Sequence, residues 1–150
     1  MFVDPELILS APRALVAAAS INTMSMAIEG LISRAGDPIA DALLLQVLRL
    51  LGQHLPDTTR LDDAAVRGDL VVAGVLCGQG TDHTAAGITT VLGHAIGARY
   101  EKDNGLVNAI VLPHVLRFNA EAAAAGLAKV AAALGVPRSD AATQLSMTID

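Results

Sequence analysis

The chain has 150 residues, is 53% hydrophobic and only 2% aromatic, and carries a net charge of −5. That length suffices for one domain with a real core, built here from Leu, Val, Ile and much Ala, the best helix former. Two lysines, Lys102 and Lys129, and scattered arginines form no basic stripe, so nucleic-acid binding is not expected. The apolar run 70–78 is far short of the ~20 residues that span a bilayer, so no membrane segment is expected. A lone cysteine, Cys77, has no internal disulfide partner and reads as a small buried side chain. The acidic start through Asp4 and Glu6 lacks a signal-peptide layout, and a cytoplasmic location is expected.

Asp4-Pro5 signals a turn after a short extended start. Ser10 and Pro12 open a helix expected over 12–34, with a break near Ser20. Asn22, Met26 and Glu29 fall on one side of it by the i, i+4, i+7 rule. Gly36-Asp37-Pro38 is the clearest punctuation. Gly36 ends one helix, Asp37 caps the next, and Pro38 takes its first position, with the helix running to about His54. Asp62 and Asp63 begin another, favoured by the positive end of the helix dipole. Gly74 and Gly78, four apart on one face, suggest close backbone packing, and Gly78-Gln79-Gly80 should break or loosen the chain. A segment over 84–99 is apolar nearly all round and is expected to be central. Asn104-Gly105 opens a helix to Asn119 that Pro113 should kink or break. An Ala-rich helix over 120–134 ends at Gly135, and a last helix starts after Ser139. The residues thus predict an all-α, single-domain, multi-helix bundle over 1–150.

Chemistry-bearing signals are few. No pair among His54, His83, His94 and His114 has helical zinc spacing, and there is no CxxC, so no metal site is expected. No Gly-rich dinucleotide fingerprint, P-loop or GxSxG is present. His94 is the candidate catalytic residue. Mid-helix between Gly93 and Gly97, it is either a core histidine bonded to a neighbour or an acid or base lining a cavity. The flanking glycines leave space beside the ring and tilt the reading toward the cavity.

The run Gly87-Ile88-Thr89-Thr90-Val91-Leu92-Gly93-His94-Ala95-Ile96-Gly97 resembles a helix of the iron-containing alcohol dehydrogenase and maleylacetate reductase family. Asn104-Gly105, Asn108-Ala109, Leu112-Pro113 and Asn119 resemble that family's next segment. The stretch from Ala18 to Gly30 resembles its Asp-Ala-Leu-x-His-x-x-Glu helix, and Asp37-Pro38-Ile39-Ala40-Asp41-Ala42 the stretch after it. Leu76-Cys77-Gly78 leans toward the maleylacetate reductase branch. The resemblance covers nearly the whole chain in order. It implies a bundle similar to the dehydroquinate synthase-like helical domain.

The family sets an Asp and three His around a divalent metal. Position by position, these fall on Asn22, Met26, Thr90 and Asn104, so the resemblance implies a former metal site rather than a working one. His94 matches a further family histidine near the nicotinamide and substrate. The family's dinucleotide-binding half is not matched, and the last family helices look truncated. The chain alone is therefore expected to hold no cofactor, with NAD(P) entering only through a separate nucleotide-binding domain or chain. Three classes follow: a helical-domain fragment or subunit of such an oxidoreductase; a stand-alone metal-free lyase or isomerase with His94 as acid or base; and a non-catalytic structural or oligomerisation domain. Expected partners are a second copy, a companion nucleotide-binding chain or a small-molecule ligand.

Overall fold

Residues 4–136 are described by a computed structural model. Seven α-helices follow one another among them: α1 (Pro5–Leu9), α2 (Arg13–Ile32), α3 (Pro38–His54), α4 (Ala64–Thr81), α5 (Ile88–Tyr100), α6 (Asn104–Asn119) and α7 (Ala124–Ala133). A single 3-10 turn, Thr58–Asp62, leads into α4, and no strand occurs among the described residues. The expected helix after Ser139 lies outside them.

The all-α bundle follows from where the apolar side chains fall. α3 presents Leu44, Val47, Leu48 and Leu51 on one stripe, all fully buried. They pack with Ile28 and Leu31 of α2, Val66 and Ala73 of α4, Leu112 and Leu116 of α6, and Val130 of α7. α2 is central and touches every other α-helix from α3 to α7. It is also long and apolar enough, by length and composition alone, to cross a bilayer. Its Met24, Ala27, Ile28 and Leu31 are spent on the core.

The α3 start is as expected. Asp37 caps it, its carboxylate accepting from the backbone N–H groups of Ile39 and Ala40 at 2.8 Å each, with Pro38 at the first position. Other expectations are corrected. The expected extended start before Asp4 lies outside the described residues; α1 begins at Pro5, and α2 runs unbroken through Ser20. α4 continues through Gly78-Gln79-Gly80 to Thr81, and its Gly74 and Gly78 face outward with open space beside them. The close approach is made instead at Gly80, where Leu44 of α3 fills a notch shared with Gly30 of α2. α6 is not broken at Pro113, which stands inside it. The last Ala-rich helix starts at Ala124, and the residues before it form a turn.

The largest correction concerns α5. It is peripheral, held by α6 and α2, and buries only Thr89, Gly93 and Gly97. Its large apolar residues point out: Val91 is 58% exposed, and Ile88 and Leu92 are also on the surface. α6 adds Leu106, Ile110 and Phe118 to the exposed apolar residues. A helix apolar all round is central only if its large residues face inward, and here the inward residues are the small ones.

Candidate functional site

The first turn of α5 is where the site begins. Gly87 occupies the N-cap position and has no side chain to satisfy the free N–H groups of that turn. α2 supplies the cap. The Glu29 carboxylate accepts from Thr89 N–H at 2.5 Å, from Thr90 N–H at 3.0 Å and from the Thr90 hydroxyl at 2.7 Å. Glu29 is only 4% exposed. The positive end of α5 and three donors compensate a buried carboxylate that has no ion-pair partner among the described residues. Gly87 is needed for this, because a Cβ there would collide with the carboxylate.

One turn further along α5, Gly93 lets the Asn108 amide of α6 lie against the helix backbone. The Asn108 Nδ2 group donates to Asn22 Oδ1 and to Ser25 Oγ of α2, both at 2.9 Å. Asn22 in turn points its own Nδ2 at the Met26 sulfur, 3.5 Å away. Two turns along, Gly97 receives Asn104 of α6. The Asn104 Nδ2 group lies 3.1 Å from His94 Nδ1. Three small residues of α5 thus admit three polar side chains from its neighbours.

The five residues singled out from the sequence are distributed along this α2–α5–α6 seam. Asn22 contacts Met26, and His94 contacts Asn104. Met26 and Thr90 line one cavity of about 150 Å3 together with Glu29, Thr81, Ala85, Ala86 and Gly87. Asn22, His94 and Asn104 are not in that lining. His94 is exposed on α5, which corrects the reading of it as a core histidine. A second cavity, about 210 Å3, opens on the other side of Glu29 and is lined by Ile32, Arg34, Ile88 and Asn119 among others.

Of the site residues, Ser25 carries no signal in the sequence, and Glu29 and Asn108 stand in its patterns with no role assigned to them. A signal existed for Glu29. It shares the face of Asn22 and Met26, and a helix beginning at Gly87-Ile88 has no cap of its own. Asn108 stands in the family-like Asn108-Ala109 pair, but no local pattern shows that its amide joins α6 to α2.

Iron(II) or zinc(II) takes imidazole, carboxylate or thiolate ligands. Asn22, Met26, Thr90 and Asn104 offer two amides, a thioether and a hydroxyl, each already engaged by a neighbour. Among the described residues no three His, Cys, Asp or Glu side chains come together as a possible metal site. The residues present do not fit a bound divalent metal. Cys77 is no substitute: its thiol is buried against the Thr23 carbonyl, and burial pushes its pKa up to about 11. Of the other three histidines, His54 is buried against Asp69 at 2.8 Å, His114 lies beside Arg117, and His83 follows the end of α4.

Residues 16–149 match the Fe-containing alcohol dehydrogenase family, C-terminal. The 1,3-propanediol dehydrogenase of Klebsiella pneumoniae is 31% identical over 133 residues, which is 88% of this chain and 34% of that enzyme. The fold superimposes on the crystal structure of a 1,3-propanediol oxidoreductase with a TM-score of 0.87 and 29% identity, covering 97% of this chain and 40% of that one. The maleylacetate reductase of Agrobacterium tumefaciens gives a TM-score of 0.82 at 26% identity, covering 97% of this chain and 42% of that one. A helical bundle with a polar seam between α2, α5 and α6 is thus the helical domain of an alcohol dehydrogenase-like oxidoreductase fold. The chain belongs to the iron-containing alcohol dehydrogenase family, as its C-terminal domain. It spans about a third of the length of the curated relatives it matches.

Proposed function

We propose that this chain is the helical part of a metal-free oxidoreductase of the family, in which His94 rather than a metal ion meets the substrate oxygen. The observation that carries the reading is the mutual engagement of the former ligand positions. Asn22 bonds to Met26, Thr90 to Glu29 and Asn104 to His94, so each side chain is committed to a protein partner instead of converging on an ion. On this reading nicotinamide chemistry requires a separate nucleotide-binding domain or chain. The exposed apolar residues of α5 and α6 agree with a companion chain or a second copy lying over them.

The test is direct. Purified protein, dialysed against iron(II) or zinc(II) and then washed, is expected to carry far less than one metal per chain. Its melting temperature should be unmoved by either ion and by NADH or NADPH. Stoichiometric retention of metal, or a melting shift that saturates with metal, overturns the metal-free reading. A shift with NADH or NADPH overturns the requirement for a separate nucleotide-binding part.

A further inference from the structure

We propose that Asn104 is a positioning residue that fixes the His94 ring as the Nε2–H tautomer, so that this surface presents a hydrogen-bond donor to a carbonyl or carboxylate oxygen. A neutral imidazole carries one proton, and the bond made by one ring nitrogen decides where it sits. The Asn104 amide nitrogen faces His94 Nδ1 at 3.1 Å. An amide N–H only donates, so Nδ1 accepts and the ring proton is placed on Nε2.

The backbone around the pair supports that amide orientation. The Asn104 Oδ1 atom stands in the space beside Gly97 that a Cβ would occupy, where the glycine carries a Cα–H instead. A Cα–H is a weak donor that suits an oxygen and opposes an NH2 group. Asn104 is also held from behind. It is the first residue of α6, whose N-cap Asp103 accepts from Gly105 N–H at 2.7 Å and from Leu106 N–H at 3.4 Å. The chain reverses between α5 and α6 through Glu101, in the left-handed region at φ 52°, and Lys102 N–H bonds back to the Gly97 carbonyl at 3.0 Å. The amide is therefore delivered to His94 by a fixed turn. Nε2 is the ring nitrogen left for a ligand, and His94 is exposed.

The kind of ligand follows from the proton. An Nε2–H group does not take a hydroxyl proton as a base; it donates to an oxygen. The site therefore suits the carbonyl form of a substrate or a carboxylate. This use of the donor rests on the reading of His94 given under Proposed function, whereas the tautomer itself does not.

Long-range 1H–15N correlation spectra of uniformly 15N-labelled full-length protein at pH 8 read the tautomer, with the His94 signals assigned from His94→Gln. The expected result is Nδ1 in the unprotonated range and Nε2 in the protonated range. Asn104→Asp, which can only accept, should reverse the two, and Asn104→Ala should bring them to averaged values. An Nδ1–H tautomer in the unmodified protein, or one tautomer in all three proteins, overturns the proposal. An Nδ1–H tautomer in the unmodified protein overturns the proposal even if one variant does not fold, and the other variant then supplies the comparison. Acetone and acetate then probe the donor, each expected to shift the Nε2 resonance. No shift with the tautomer intact overturns the ligand role of His94 and leaves the positioning role of Asn104 standing.

Discussion

Glu29 of α2 and Thr90 of α5 are joined twice, by the Thr90 backbone N–H and by its hydroxyl, onto one carboxylate oxygen. The pair fastens a helix that has almost no buried apolar side chain of its own. Replacing Glu29 with Ala leaves the first-turn N–H groups of α5 without acceptors in a buried place. The expected loss is about 2–3 kcal/mol. Urea unfolding measures it, and hydrogen exchange should show α5 amides losing protection before those of α3. Glu29→Gln keeps one good acceptor oxygen and should fall between.

Gly93 and Gly74 should respond with opposite signs to the same change. A Cβ at Gly93 collides with the Asn108 amide, so Gly93→Ala should cost about 1–3 kcal/mol through overpacking. Gly74 has open space beside it within α4, so Gly74→Ala should gain about 0.5–1 kcal/mol from helix propensity. Thermal melts of the two variants against the unmodified chain decide both.

Arg67 is the other buried charge to test. It is 2% exposed and donates to the carbonyls of Leu61, Ile8 and Ala11 at 2.5, 2.7 and 2.7 Å, and to Asp62 at 3.1 Å. Arg67→Met strands three carbonyls and should cost about 3–5 kcal/mol. Limited proteolysis should then cut around residues 8–11 well before the bundle unfolds.

Cys77 gives a pH signature. Burial raises its thiol from an ordinary 9.0 to about 11 in the folded chain. Above pH 9 the unfolded chain releases this proton while the folded chain keeps it. The contribution is therefore fully present below pH 9 and is lost as pH rises through about 11. Cys77→Ala should flatten the fall of melting temperature across that window. A thiol reagent at pH 8 should label the native chain slowly and the urea-unfolded chain at once.

Elements whose signals are local were readable from the sequence, and those set by a neighbour were not. Gly36-Asp37-Pro38 specifies the start of α3 from three adjacent residues, and the structure places the cap there. The spacing of Gly74 and Gly78 identifies a face but not which way it points, and the inward glycine is Gly80. A count of hydrophobic residues does not place α5, because only its small residues allow a neighbouring helix to approach. In the site, the Asn22–Met26 contact is an i, i+4 pair visible in the sequence. The His94–Asn104 bond depends on the reversal at Glu101, and the Asn108 links cross from α6 to α2 over more than eighty residues. Neither geometry is encoded in a local pattern.

Arg67 has one more consequence. At Ile8 and Ala11 it binds main-chain oxygens only, and these belong to any residue that could stand there. The route by which the chain enters the bundle is thus prescribed from 56 and 59 residues away, without reference to the side chains being routed. At those two positions the arginine's grip does not depend on which side chain is present, so the part of the entry path it sets can outlast changes in them.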